Sequence, residues 1–344
     1  MFLLKGMEYL WMLIFIMITA GIAKEQNLFA SAFAYLQNTV KSNRLLVALI
    51  SAVGGVLPIE GRVTVSAGVL DTMTHKDCDH NHGREKMGIV DYLSTHHYYL
   101  WSPLEKTVIL PIAAFGLTYA AWMSMIWPLL VVTFALIVGY IFLFVKEDDI
   151  HISHTGDFKI SAVLRNVLPF FAAIGVYIYT AGNVFTIFGL LALYYCFLTQ
   201  TWDYKKLLGY INWQVILVVA VAIALGNYFK SNEALYKTWI TGSALDPTTF
   251  VGMLTISAIG FVASFLMGSS GKYVAFAVLM AQVFGPQYFV WFFAVDYAGY
   301  LLSPTHKCVA VGNRYFGTPL TTYYAALGSW AVLLIGTAGL LTYF

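Results

Sequence analysis

The sequence predicts an all-α polytopic membrane protein with about nine or ten membrane segments, and three observations carry that prediction. The 344 residues are 60% hydrophobic and only 10% charged, with a mean hydropathy of +0.74, a composition that excludes an ordinary soluble domain. The apolar residues gather in runs close to, or about twice, the ~20 residues that one helical crossing needs. The polar stretches between them are short. The formal net charge is +2 and no basic block occurs, so a nucleic-acid partner is not expected.

Taken in order, residues 9–23 read as a first membrane helix, because no A-x-A-like cleavage site marks them as a removable leader. Residues 27–40 are less apolar and suit an interfacial segment or half-helix. Residues 45–70 are long enough to cross a bilayer, yet their middle reads Leu57-Pro58-Ile59-Glu60-Gly61-Arg62. Proline removes a backbone donor and clashes with the preceding turn, and glycine weakens the helix further. Two half-helices joined near 57–62 are therefore expected. Residues 72–91 form a polar connection. The apolar run 107–145 suits two crossings with a turn near 122–128. A mixed-charge linker, 146–165, divides the chain. Residues 166–202 suit two more crossings, with a turn at Tyr179-Thr180-Ala181-Gly182-Asn183. Residues 207–229, 248–267, 273–302 (interrupted at Gly285-Pro286) and 321–344 complete the set.

The central linker suggests two repeats, 1–145 and 166–344, each with an interrupted crossing: 57–62 in the first and 302–308 in the second. The later interruption reads Ser303-Pro304-Thr305-His306-Lys307-Cys308. Gly268-Ser269-Ser270-Gly271-Lys272 adds a third break, read as a re-entrant hairpin tip over 268–272; the full phosphate-loop pattern is absent, so no nucleotide is expected. Irregular backbone at membrane depth is tolerated only inside protein or along a polar cavity, and charges there usually mark an ion or solute path. A plain kink or a solvent loop is the bland alternative for each break.

Other polar residues divide similarly. Asp296 lies in an apolar segment and Asp71 follows the first break, so both, with Glu60, are ion-coupling candidates; an interfacial helix end is the alternative for either aspartate. His75, His80 and His82 offer weak metal donors near Cys78, but lack structural zinc spacing and read first as a solvated loop. His96-His97-Tyr98-Tyr99-Leu100-Trp101 reads as an interfacial aromatic belt, with a cavity-facing His97 as the minor alternative. The three cysteines, Cys78, Cys196 and Cys308, lie far apart and give no disulfide framework.

Leu57-Pro58-Ile59-Glu60-Gly61-Arg62-Val63 with Ser66 and Asp71, then Trp101-Ser102-Pro103-Leu104, Gly268-Ser269-Ser270-Gly271 and Ser303-Pro304-Thr305-His306, resembles in order an uncharacterised group of prokaryotic membrane proteins. That group is described as gluconate- or citrate-permease-like and placed in the ion transporter superfamily. The resemblance implies an inverted-repeat secondary transporter with re-entrant hairpins and discontinuous helices. It further implies an anionic, carboxylate-like solute coupled to sodium or protons, a prokaryotic inner-membrane location and a homodimer. Pro58, Gly61 and Arg62 would form one clamp; Ser269, Ser270, Ser303, Thr305 and His306 would form the other. Glu60 departs from the apolar residue expected there, and Tyr98 and Tyr99 replace an acidic partner. An enzyme is not expected, since no compact nucleophile or acid–base constellation is legible. The rival readings are a divalent cation carrier using Glu60, Asp296 and His306, a membrane enzyme acting on a lipid-linked or phosphorylated substrate, and a partner-binding membrane subunit.

Overall fold

The computed structural model describes residues 2–56, 62–74, 81–150, 159–180, 183–241 and 243–343, and every regular element among them is helical. The first half contains α1 (Phe2–Glu25), α2 (Ala30–Thr39), α3 (Asn43–Val56), α4 (Arg62–Thr72), α5 (Asn81–His96), α6 (Tyr98–Trp101), α7 (Lys106–Phe115) and α8 (Tyr119–Phe144). The second contains α9 (Ile160–Asn166), α10 (Leu168–Thr180), α11 (Val184–Thr199), α12 (Tyr204–Gly209), α13 (Trp213–Ser231), α14 (Glu233–Ile240), α15 (Phe250–Met267), α16 (Ser270–Phe284), α17 (Phe289–Leu301), α18 (Lys307–Phe316) and α19 (Leu320–Tyr343).

Among the described residues, three helices are long and apolar enough to cross a bilayer unbent: Tyr119–Phe144, Phe250–Met267 and Leu320–Thr342. Two bent pairs, α1 with α2 (64°) and α9 with α10 (43°), raise the number to five. The nine or ten segments expected from composition are thus partly shorter apolar helices, because runs that look continuous are divided. The outer faces of the long helices are apolar. Trp127, Val131, Phe134, Val138 and Phe142 line one exposed stripe of α8. Contiguous apolar exposure on this scale has lipid as its natural partner.

Two divisions differ from the sequence expectation. The turn between α7 and α8 falls at Gly116, not at 122–128: Gly116 takes the left-handed conformation (φ 66°) that closes α7, and the Thr118 hydroxyl caps α8 by accepting from the Ala121 N–H at 3.1 Å. Pro128 is carried inside α8. Residues 45–70, expected as one interrupted crossing, fold instead as a hairpin. A Cβ on Gly54 of α3 would lie 2.8 Å from the Ser66 Cβ of α4, so the two helices run side by side. The tip, 57–61, lies outside the described residues. On either side of 268–269, α15 and α16 pack together: a Cβ on Gly260 of α15 would stand 3.3 Å from the Met280 sulfur of α16.

The contacts fix direction as well as adjacency. Arg44 at the start of α3 donates to the carbonyl of Val145 at the end of α8 (2.8 Å). Arg84 in the first turns of α5 donates to both Asp71 (2.5 Å) and the Tyr315 carbonyl at the end of α18 (2.6 Å). These termini share one end of the molecule. At the other end, Phe115 and Trp122, around the α7–α8 turn, meet Phe289 at the start of α17 (ring centroids 5.1 and 5.9 Å). Gly339, near the end of α19, packs against Trp291 there. So α8 and α19 run in opposite directions, joined near their middles by the Trp330 indole donating to the Thr133 hydroxyl (3.1 Å). Helices α5 and α17 enter from opposite ends and finish in the interior.

Candidate functional site

The interior ends of α5 and α17 meet in a buried cluster of tyrosine and histidine. Tyr99 and Tyr300 hydroxyls are 3.1 Å apart, and the Tyr297 hydroxyl donates to the His96 carbonyl at 2.9 Å. The rings of Tyr273, Tyr297 and Tyr300 stack on one another, with Tyr273 to Tyr300 centroids 5.0 Å apart. The whole stretch from Asp91 to Leu100 is buried. The aromatic-belt reading of 96–101 is therefore corrected: consecutive histidine and tyrosine residues here fill a core between two chain breaks rather than a lipid interface. His97 faces inward, accepting from the Trp101 indole at 2.8 Å.

The predicted serine and threonine residues converge. Gly268 adopts a left-handed conformation (φ 52°) at the hairpin tip, where a Cβ would collide with the Thr305 hydroxyl and stand 2.9 Å from the Ser303 hydroxyl. Only glycine permits that approach at that φ without strain. Ser303 is buried, donating to the Phe265 carbonyl (2.5 Å) and lying 2.9 Å from the Thr305 hydroxyl. Ser269 and Ser270 open α16, and the Ser269 side chain makes no capping bond to the helix. The Lys106 side chain crosses Gly271, whose Cβ would be 3.3 Å from the Lys106 Cδ. The first turn of α16 thus combines uncapped backbone donors, two hydroxyl groups and a nearby ammonium, which suits an anion.

His306 caps this break from the buried side. Its Nε2 lies 3.1 Å from that of His96, and its Nδ1 lies 2.6 Å from the Tyr92 hydroxyl. Asp296 is fully buried on α17, beneath Gly260, and neither carboxylate oxygen has a hydrogen-bond partner among the described residues. Asp91 on α5 is equally buried; Ser66 of α4 is its neighbouring hydroxyl, yet stops short of hydrogen-bond geometry. Asp71 differs: it is held by Arg84 at the end of the molecule and is part of a polar clasp there.

Pro58, Glu60, Gly61, His75 and His80 lie outside the described residues. Arg62 begins α4 and His82 lies in the first turn of α5, with their side chains outside the described set. Sequence reading missed Tyr92, His96, Tyr99, Asp91, Tyr297 and Tyr300. One signal could have found two of them, Tyr99 and Tyr300. Tyr99-Leu100-Trp101-Ser102-Pro103-Leu104-Glu105-Lys106 returns as Tyr300-Leu301-Leu302-Ser303-Pro304-Thr305-His306-Lys307. Both stretches make the same turn: the Leu104 and Thr305 amides donate to the Ser102 and Ser303 hydroxyls (3.4 and 3.3 Å). Each leads into a ten-residue helix ending at a Phe-Gly pair with a left-handed glycine.

Helices of this length and surface, closing around buried polar breaks, define an all-α membrane protein. The chain belongs to a protein family of unknown function, DUF401, whose model matches residues 7–342. No curated protein matches it.

Proposed function

We propose that this protein is a secondary transporter of a small anionic, carboxylate-like solute, coupled to protons or sodium and built from two inverted repeats. The observation that carries the reading is the meeting of the hairpin tip at Gly268 with the 303–306 break, beside the joined ends of α5 and α17. Residues 43–144 and 250–343 share one order of elements: hairpin, buried helix, Ser-Pro turn, ten-residue helix, long helix. The antiparallel course of α8 and α19 supports a relation of the repeats by inversion, the plan on which many carriers place a midplane site. This pairing differs from the one read from the two proline breaks: 57–61 pairs with the 268–269 tip, and 302–306 with 101–105.

In this reading the α16 N-terminus, Ser269, Ser270, Ser303, Thr305 and Lys106 hold the solute, with Pro58, Gly61 and Arg62 assigned to the second clamp. A guanidinium offers a carboxylate two parallel hydrogen bonds. Asp296 and Asp91 serve coupling. A carboxylate lodged away from water without a donor carries a proton or a cation far more cheaply than a bare charge. Rocking of one repeat against the other alternates access. The ion transporter superfamily, a prokaryotic inner-membrane location and a homodimer fit this reading and belong to it.

The test is uptake of radiolabelled gluconate and citrate into proteoliposomes under an imposed proton or sodium gradient. Uptake is expected to fall at least about tenfold in Arg62→Ala and in Ser303→Ala, equivalent to about 1.4 kcal/mol or more of lost binding. Lys205→Ala, on the exposed α12, leaves it unchanged. Uptake equal to wild type in both site variants overturns the assignment.

A further inference from the structure

The carrier reading leaves unexplained why two imidazoles face each other across the boundary between the two halves. His96 is the last residue of α5 and His306 precedes α18, and both are buried. Their tautomers follow from their partners. The Nδ1 of His96 is 2.6 Å from the Tyr92 carbonyl, which can only accept, so this nitrogen carries hydrogen. The Tyr92 hydroxyl donates to the Leu301 carbonyl at 3.1 Å and so accepts from the His306 Nδ1, which also lies 3.2 Å from the Tyr300 carbonyl. With hydrogen fixed on both Nδ1 atoms, neutral rings present two lone pairs to each other, Nε2 to Nε2, at 3.1 Å. Two acceptors at that distance repel unless an electrophile lies between or beside them.

A third donor completes the group. The ligand atoms of His96, His306 and Cys308 all lie within 4.8 Å of one another. Bonds of ~2.0 Å to nitrogen and ~2.3 Å to sulfur give tetrahedral donor separations of roughly 3.3–3.6 Å. The two Nε2 atoms are already that close, and the half-buried Cys308 brings its sulfur within 4.8 Å of a nitrogen of each ring. Each histidine has the outer support that metal ligands normally have, a hydrogen bond from Nδ1 that fixes the ring and aims Nε2. Two imidazoles and a thiolate select borderline to soft cations and leave a fourth position open.

We propose that His96, His306 and Cys308 form a binding site for a zinc-class divalent cation that bridges the two halves. The site does not depend on the carrier reading. Its repeat-matched positions hold Tyr297, Glu105 and Thr107, so the donor set has no counterpart at the matching place between the halves and is not imposed by the fold.

The experiment is a cobalt(II) titration of the full-length Cys78→Ser protein in detergent, read as the thiolate-to-cobalt charge-transfer band and the visible d–d bands, with zinc competition. A band is expected in this protein and in the same protein carrying Cys196→Ser. It is expected to vanish in Cys308→Ser, and cobalt affinity to fall at least tenfold in His96→Gln and in His306→Gln. Melting temperature without metal reports whether each variant is folded. Cys308 is only half-buried, so its variant keeps the test decisive should a histidine variant fail to fold. Absence of a thiolate band in folded protein overturns the site, as does a band that survives Cys308→Ser. A proton shared between the two imidazoles, seen as a histidine resonance that titrates with no cobalt band, also overturns it.

Discussion

Asp296 shows how a single side chain can be permitted by its fold and still be costly to it. It sits where α15 and α17 come so close that Gly260 has no room for a Cβ, and no donor among the described residues reaches either carboxylate oxygen. A bare charge there costs several kcal/mol even after relaxation, and no cation among the described residues is paired with it. A residue chosen only for packing would be apolar. The expected outcome for Asp296→Asn, which keeps the shape and removes the charge, is a melting temperature in detergent equal to or above wild type. Gradient-driven uptake should meanwhile lose its dependence on the coupling ion. A variant that melts several degrees lower and retains ion-dependent uptake would make Asp296 a structural residue. Gly268 makes the opposite point, since it has no chemistry of its own and lets a hairpin tip touch Ser303 and Thr305.

Elements were legible where composition changes sharply and illegible where it does not. Thr249, Met267, Gly285 and Pro286 bound α15 and α16 because a capping hydroxyl, a left-handed glycine and a proline interrupt apolar sequence. The α7–α8 turn was misplaced because Pro128 is a stronger letter than Gly116, yet α8 absorbs the proline. Helix α5 was unreadable for a different reason. Its first turns, Asn81-His82-Gly83-Arg84-Glu85-Lys86, look like loop, and only tertiary contacts hold them in a helix. One of those contacts is testable by pH. Lys86 donates to Asp149, beyond the end of α8, at 2.9 Å, and the Lys146 amide donates to the same carboxylate oxygen at 2.8 Å. Partial burial alone would raise the Asp149 carboxyl, but these two donors outweigh it and hold it below its ordinary value of 3.8. A depressed folded-state value means that the pair's stability is fully present above the unfolded value and is lost as pH falls through the folded one. The melting temperature of wild type is therefore expected to exceed that of Asp149→Asn at pH 7, with the difference narrowing below about pH 4. A difference that stays constant down to pH 3 would mean that the carboxylate's charge contributes nothing.

At the scale of the whole molecule, the directions of the long helices decide between two architectures that composition cannot distinguish. A chain of two similar halves can repeat in the same sense, so that matching helices start at the same membrane face, or in the inverted sense, so that they start at opposite faces. Arg44, Val145, Arg84 and Tyr315 gather at one end, while Phe115, Phe289, Trp291 and Gly339 gather at the other. Helix α8, at about 1.5 Å per residue, is long enough to run from the second end to the first across a ~30 Å core, and α19 makes the return. Thr118, which caps α8, and Pro319, which precedes α19, are both exposed and occupy matching places. In the inverted arrangement they lie on opposite sides of the membrane. In a background with Cys78, Cys196 and Cys308 replaced by serine, Thr118→Cys and Pro319→Cys should react with an impermeant maleimide from opposite sides of sealed vesicles, one directly and the other only after permeabilisation. Labelling of both from the same side would exclude inversion, and with it alternating access by rocking of one half against its inverted counterpart.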